Sequence, residues 1–163
     1  MSSMLHDIRK EGIERMWNSS KSVLVSSICT KIVIGIVIIV TATSPYLVRS
    51  YVAYAMKDPE IITPLIMTII ACAIPGLIAL FSLDKLLTNI KMKEVFIEKN
   101  VRHLRVISWC SFAVSIVSLV SGFYYLPFLI ISVAAAFFGL ILRVVKNVIE
   151  QAVIIKNEND FTI

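Results

Sequence analysis

The residues that could do chemistry in this sequence are few and lie far apart. The two histidines, His6 and His103, occupy separate charged segments, and the cysteines Cys29, Cys72 and Cys110 stand singly inside apolar stretches. A disulfide framework requires paired cysteines, and a zinc site requires Cys, His or acidic ligands at short spacing. Phosphate binding typically uses a glycine-rich loop, and hydrolysis by a serine typically uses a nucleophile elbow. The sequence contains none of these motifs. We therefore predict a non-enzymatic protein without catalytic residues, cofactor or metal.

The most regular polar pattern is a set of serines in the third of four apolar stretches, spaced three or four residues apart. These are Ser108, Ser111, Ser115, Ser118 and Ser121. At 100° per residue, such spacing places the hydroxyls mostly on one side of a helix. The pattern therefore predicts one polar face on the third helix.

Two functions are compatible with this serine row. As helix-packing residues, Ser111, Ser115 and Ser118 would face small residues of the fourth stretch, such as Ala135 and Gly139, and let the two backbones approach closely. As a polar pathway, the row would normally be accompanied by an ionisable residue in mid-membrane, and none of the four stretches contains one. The sequence favours packing and leaves a pathway as the alternative.

Pro75 interrupts the second apolar stretch near its middle. Proline lacks a backbone N–H, so it leaves a carbonyl without its helical partner and is predicted to kink the helix. Broken helices also occur at transport sites, but a single proline favours a structural role in helix packing.

The composition is that of an integral membrane protein. The chain has 163 residues, of which 58% are hydrophobic and 17% charged, and its mean hydropathy is +0.85. Soluble domains are about 45–50% apolar and about 25% charged. These values exclude a soluble globule and a disordered chain, and they are unlike those of proteins that bind nucleic acid directly.

Four apolar stretches are near the length of about 20 helical residues that crosses a bilayer core. We place the spans at about residues 22–48, 61–83, 106–125 and 126–142. The predicted fold is all-α, an integral membrane bundle of four transmembrane helices. The last two spans adjoin directly and should form a tight antiparallel hairpin.

The positive charges predict the orientation of the spans. Of the 16 lysines and arginines, only Arg49 and Lys57 lie between the first and second spans, and none lies between the third and fourth. Positive charge is enriched on the cytoplasmic side of membranes. We therefore expect a multi-pass protein of the cytoplasmic membrane with both termini inside.

The predicted cytoplasmic parts flank a membrane domain of residues 22–156. Residues 1–21 form an amphipathic segment that suits an interfacial helix. Apolar helical spacing continues past the inner ends of spans two, three and four, so these helices should extend into the cytoplasm by up to about 15 residues, or roughly 20 Å. The charged faces of these extensions suit contact with anionic membrane lipids. Residues 157–163 break the pattern and form a tail that either frays or docks.

Two cytoplasmic stretches resemble one known family. The first contains Lys85-Leu86-Leu87, Ile90, Phe96, Asn100-Val101, Leu104-Arg105 and Ile107, and the second is Glu158-Asn159-Asp160-Phe161-Thr162-Ile163. With four spans in about 160 residues, they resemble the bacterial membrane-protein family called domain of unknown function 2975. The resemblance implies no established activity, cofactor or catalytic residue. Genes of this family often neighbour those of small helix-turn-helix regulators, which implies a membrane protein that holds or modulates a cytosolic DNA-binding partner.

Three functional hypotheses follow. The first is a membrane regulator whose cytoplasmic face binds a small helix-turn-helix regulator or a second copy of the chain. Its expected binding residues are an apolar anchor, a loop-fixing amide, a basic residue and a clamp in the tail, namely Phe96, Asn100, Arg105, Asp160 and Phe161. The second hypothesis is a small oligomeric transporter or pore that uses the serine row and the kink at Pro75. The third is membrane self-protection against a peptide toxin.

Overall fold

The chain forms four long helices joined by short connections. The computed structural model describes the backbone of residues 2–92 and 94–160 and the side chains of residues 21–92 and 94–159. The helices are α1 (Ser2–Tyr54), α2 (Ile62–Lys91), α3 (Glu98–Ser121) and α4 (Pro127–Asp160), and a short 3-10 turn at Pro59–Ile61 precedes α2. All four are long and apolar enough to cross a membrane. The prediction of an all-α fold with four membrane-spanning helices is confirmed, and the chain is a multi-pass membrane protein.

The helices extend beyond the apolar spans, as predicted. Helix α2 continues to Lys91, α3 begins at Glu98, and α4 continues to Asp160. Helix α4 continues to Asp160 although its apolar pattern ends before Asn157. Each Asn, Glu or Asp makes the free energy of helix formation less favourable by less than about 1 kcal/mol relative to alanine. Their cost is therefore too small to break an already formed helix.

Helix α1 contains 53 residues, which corresponds to about 80 Å at helical rise. It includes the predicted amphipathic segment and the first span without a break at residue 21. The division of the chain into an N-terminal segment, a membrane domain and a tail stays a prediction.

The four helices stand in a row in which each packs on the next one in the chain. Helix α1 packs on α2, α2 on α3, and α3 on α4, and these are the extensive helix contacts among the described residues. Phe128 near the start of α4 also packs against the cluster that α1 and α2 form. Helices α2 and α3 are therefore inner members of the row, while α1 and α4 are outer members. Large apolar surfaces of α1 and α4 stay exposed, as expected for helices surrounded by lipid tails.

Helices α1 and α2 pack through small polar and branched apolar side chains. Val48 and Val52 of α1 form a buried cluster with Leu65 of α2. Ser44 is buried about one turn before Val48, and Thr30 about five turns before it. Small side chains at a helix contact let the two backbones approach closely in a membrane. Their spacing thus gives α1 one continuous face toward α2.

Gly139 marks the closest approach of α4 to α3. A Cβ atom added at this glycine would lie 3.3 Å from the ring of Phe112, which is tighter than ordinary van der Waals contact. The backbone carbonyl of Gly139 accepts a hydrogen bond of 2.9 Å from the hydroxyl of Ser108. The missing side chain of Gly139 therefore lets α3 reach the backbone of α4.

We predict that Gly139→Leu lowers the free energy of unfolding by about 1–3 kcal/mol, since it overpacks the contact between α3 and α4. The matched control is Gly35→Leu, because a Cβ atom at Gly35 has no neighbour within 4 Å. Reversible unfolding in mixed micelles measures both variants. Equal losses of stability for the two would contradict close packing at Gly139.

Candidate functional site

The serine row of α3 forms hydrogen bonds across the contact with α4. The hydroxyl of Ser115 donates to the carbonyl of Ser132 over 2.9 Å, and the hydroxyl of Ser132 donates to the carbonyl of Ser115 over 2.8 Å. Both side chains are buried. Two turns nearer the start of α3, the hydroxyl of Ser108 donates to the backbone carbonyl of Gly139. These bonds fix the register of the α3–α4 pair.

Other members of the row face α2. Ser121 and Thr68 have their hydroxyl oxygens 2.8 Å apart, and the hydroxyl of Tyr124 contacts that of Thr68 as well. Ser118 is fully buried, with its oxygen 3.8 Å from the sulfur of Cys72. The serine row therefore touches both neighbours of α3, which explains why α3 has the most buried span of the four.

The remaining residues predicted to pack helices have less direct roles. Ser111 donates to the carbonyl of Ile107 within α3. Ala135 is half-buried in α4, and Pro75 is half-buried in α2, which continues through it as one helix. The hydroxyls that cross between helices thus belong to other serines of the row, and this arrangement favours packing over a polar pathway.

Asn100 fixes the connection between α2 and α3. Its side chain is 1% exposed, and its amide nitrogen donates to the carbonyls of Glu94 and Val95 over 2.7 and 2.8 Å. Its amide oxygen accepts from the side chain of Asn89 over 2.8 Å. Asn100 therefore holds the connection by three internal bonds, and its buried amide is turned away from any partner.

The structure places the other predicted binding residues at separate points. Phe96 lies in the same connection and is 47% exposed. Arg105 is exposed and bonds to Glu150 of α4 over 3.3 Å. Asp160 is the last residue of α4, but its side chain and the whole of Phe161 lie outside the described residues. Of these five residues, Phe96 in the α2–α3 connection and Asn100 in the first turn of α3, which bonds to that connection, thus lie close along the chain.

An open cleft of about 450 Å³ separates the ends of α3 and α4 on the side of the α2–α3 connection; we call it the α3–α4 cleft. It is lined by residues of both helices, namely Glu98, Lys99, Val101, Arg102, Arg105, Glu150, Val153, Ile154 and Asn157. Sequence reasoning found Arg105 but missed the α4 wall. The spacing of Glu150, Val153, Ile154 and Asn157 by three or four residues was the available signal, since it predicts one helix face.

The polar side chains around the α3–α4 cleft are suited to binding a partner. Within residues 21–92 and 94–159, no three His, Cys, Asp or Glu side chains come close enough to hold a metal ion. The polar groups near the α3–α4 cleft are cations, carboxylates and an amide on exposed helix faces. Such groups can form ion pairs and hydrogen bonds with a partner.

One family of known proteins matches the chain. The model of the family DUF2975, described as a protein of unknown function, matches residues 48–163, which is well over half of the chain. The chain belongs to this family. The match to DUF2975 includes α2, α3 and α4 and the end of α1. No curated protein and no solved structure is significantly similar to the chain.

We predict that Asn100→Ala lowers the free energy of unfolding by about 2–3 kcal/mol, because it removes three buried hydrogen bonds. Asn89→Ala removes only one of these bonds and should cost about 1 kcal/mol. Asn100→Asp replaces the buried amide donor by a carboxylate that faces the carbonyls of Glu94 and Val95, so at neutral pH it should cost more than Asn100→Ala. Unfolding in mixed micelles measures this order, and equal costs for all three variants would contradict it.

Proposed function

We propose that this member of DUF2975 is a non-enzymatic membrane regulator whose cytoplasmic end binds a small helix-turn-helix regulator or a second copy of the chain. The proposal places the protein in the cytoplasmic membrane of a bacterium with both termini inside. The observation that carries it is the α3–α4 cleft, which joins an apolar floor to a basic rim.

The floor of the cleft offers an apolar contact to a partner. Val101 of α3 and Val153 of α4 are buried residues that line the cleft, and Ile154, which also lines it, is 52% exposed. Amphipathic helices of partner proteins commonly insert apolar side chains, spaced by three or four residues, into such a groove between two helices. An amphipathic helix of a small regulator fits this description.

The rim of the cleft adds a preference for acidic residues. The rim has three cations and two carboxylates: Lys99 and Arg102 are exposed on α3 together with Glu98, and the charge of Arg105 is partly balanced by Glu150. Its net charge is therefore positive. Exposed charges at the edge of an interface mainly steer association and select partners with complementary charge. The expected partner surface is therefore apolar at its centre and acidic at its edge.

The connection between α2 and α3 lies at the same end of the protein. Asn100 holds it rigidly, and its exposed Phe96 presents an aromatic side chain. Aromatic side chains are frequent anchors of protein interfaces. A rigid connection reduces the entropy that would be lost on binding, so Phe96 supports a second contact beside the cleft.

The transporter hypothesis receives less support from the same geometry. It requires serine hydroxyls that face a pathway, whereas Ser115 and Ser132 bond to each other and Ser108 bonds to Gly139. These buried bonds support a packing role for the row.

We predict that Ile154→Asp removes the bound regulator, because it places a charge in the apolar floor of the cleft. The variant and the parent chain would be extracted gently from native membranes, and co-purifying proteins would be identified by mass spectrometry. Recovery of a helix-turn-helix protein, or of a second copy cross-linked to the first, should fall about tenfold or more.

The matched control is Ile155→Asp. Ile155 is 59% exposed on the next position of α4 and does not line the cleft, so this variant should retain its partner at the parent level. Equal retention by both variants would contradict the proposed site. Recovery of the parent chain alone, without cross-linked copies, would contradict the proposed function.

A further inference from the structure

A second, smaller recess lies between α3 and α4, next to the α3–α4 cleft and nearer the middle of the two helices. It has a volume of about 70 Å³ and is lined by Arg105, Ser108, Trp109, Arg143 and Lys146. Three of its five lining side chains are cations that come from two different helices. We call this group the cation recess.

The cation recess lies where the apolar core of the third and fourth spans ends. Residues 106–142 contain no Asp, Glu, Lys or Arg. Arg105 directly precedes this apolar core on α3, and Arg143 directly follows it on α4. From Pro127 to Arg143, α4 rises by about 24 Å, which approaches the bilayer hydrocarbon thickness of about 30 Å. The antiparallel pairing of α3 and α4 brings both arginines to the same height, at the level of lipid head groups.

The positive charge of the recess is only partly neutralised. Glu150 bonds to both Lys146 and Arg105. Within the part of the chain that the structure describes, Arg143 has no carboxylate partner; its guanidinium lies 5.7 Å from the ring centre of Trp109. The side chain of Lys146 is only 14% exposed, which places its stem within the recess. Three cations thus share one carboxylate, and two positive charges are left to attract an anion.

The surroundings of the recess are apolar on the membrane side. Trp109 is 61% exposed and meets the ring of Phe112 edge to face. Two turns toward the membrane centre on α3, Ile116 is 64% exposed. An anion held in the recess would therefore have a hydrocarbon-facing surface directly beside it, which a lipid tail can cover and a free ion cannot.

We propose that the cation recess binds the phosphate of an anionic phospholipid, with the acyl chains lying along the exposed face of Trp109 and Ile116. Guanidinium groups can bind phosphate oxygens through two parallel hydrogen bonds, and an ammonium group adds a point charge. Basic pockets between membrane helices are suited to anionic head groups for this reason. Arg105 lines both the cation recess and the α3–α4 cleft, but the inference requires no partner protein and therefore does not depend on the proposed regulatory function.

Fluorescence of Trp109 offers a direct test, because the chain has only two tryptophans and Trp17→Phe leaves Trp109 as the reporter. The protein would be placed in vesicles of phosphatidylcholine that contain brominated phosphatidylglycerol or brominated phosphatidylcholine. Bromine on a lipid tail quenches the fluorescence of a tryptophan only at close range. The extent of quenching by each brominated lipid therefore measures how strongly that lipid binds beside Trp109. We expect phosphatidylglycerol to be preferred about fivefold or more.

Charge-matched variants separate the recess from general surface charge. Combining Arg105→Gln, Arg143→Gln and Lys146→Gln should abolish the preference. The control combines Lys85→Gln, Lys91→Gln and Lys156→Gln, which removes the same charge from residues outside the recess and should retain the preference. Arg143→Gln alone breaks no ion pair among the described residues and should weaken the preference even if the triple variant misfolds. Equal effects of the two triple variants, or no effect of Arg143→Gln, would overturn the proposal.

Inorganic phosphate distinguishes a lipid from a free anion. Excess phosphate added to vesicles with brominated phosphatidylglycerol should leave the quenching of Trp109 unchanged, because it lacks the tails that contact the apolar face. If phosphate instead removes the preference for phosphatidylglycerol, the recess takes a free anion and the lipid assignment is overturned.

Discussion

The charge-free run of residues 106–142 is the constraint on which the rest of the structure depends. Lipid tails cannot form hydrogen bonds with backbone N–H and C=O groups, so this run must satisfy those groups by forming helices. It is long enough for two helices. Its hydroxyls need partners within the protein, and Ser115 and Ser132 provide them for each other. The resulting register brings Arg105 and Arg143 together at one end. Packing in the membrane therefore determines which charges meet outside it.

Much of the fold could be predicted from the sequence, because membrane helices leave a simple signal. Long apolar runs give the number of helices, and apolar spacing past Leu83 and Arg143 gives their extensions. The serine row could be predicted to pack helices, since in apolar surroundings a hydroxyl gains most by bonding to a neighbouring backbone. The structure adds the particular partners, which spacing alone does not specify.

Apart from the pairing of the last two spans, the arrangement of the helices and the details of the site could not be predicted. Lipid tails and a neighbouring helix are equally apolar. The composition of α1 therefore does not reveal which of its faces packs on α2. The bonds of Asn100 depend on where the connection turns back toward Asn89. The α3–α4 cleft depends on how Val153 and Glu150 are aligned with α3. Each of these features arises from tertiary packing rather than from a local pattern.

The proposed regulatory function requires the α2–α3 connection to lie in the cytoplasm, and cysteine labelling tests this most directly. In a chain whose three native cysteines are replaced by serine, Phe96→Cys and Met56→Cys each place one thiol at an exposed position, in the connections at opposite ends of α2. A membrane-impermeant maleimide should label Met56→Cys on intact cells and Phe96→Cys only after permeabilisation. Labelling of Phe96→Cys on intact cells, with Met56→Cys protected, would contradict the account.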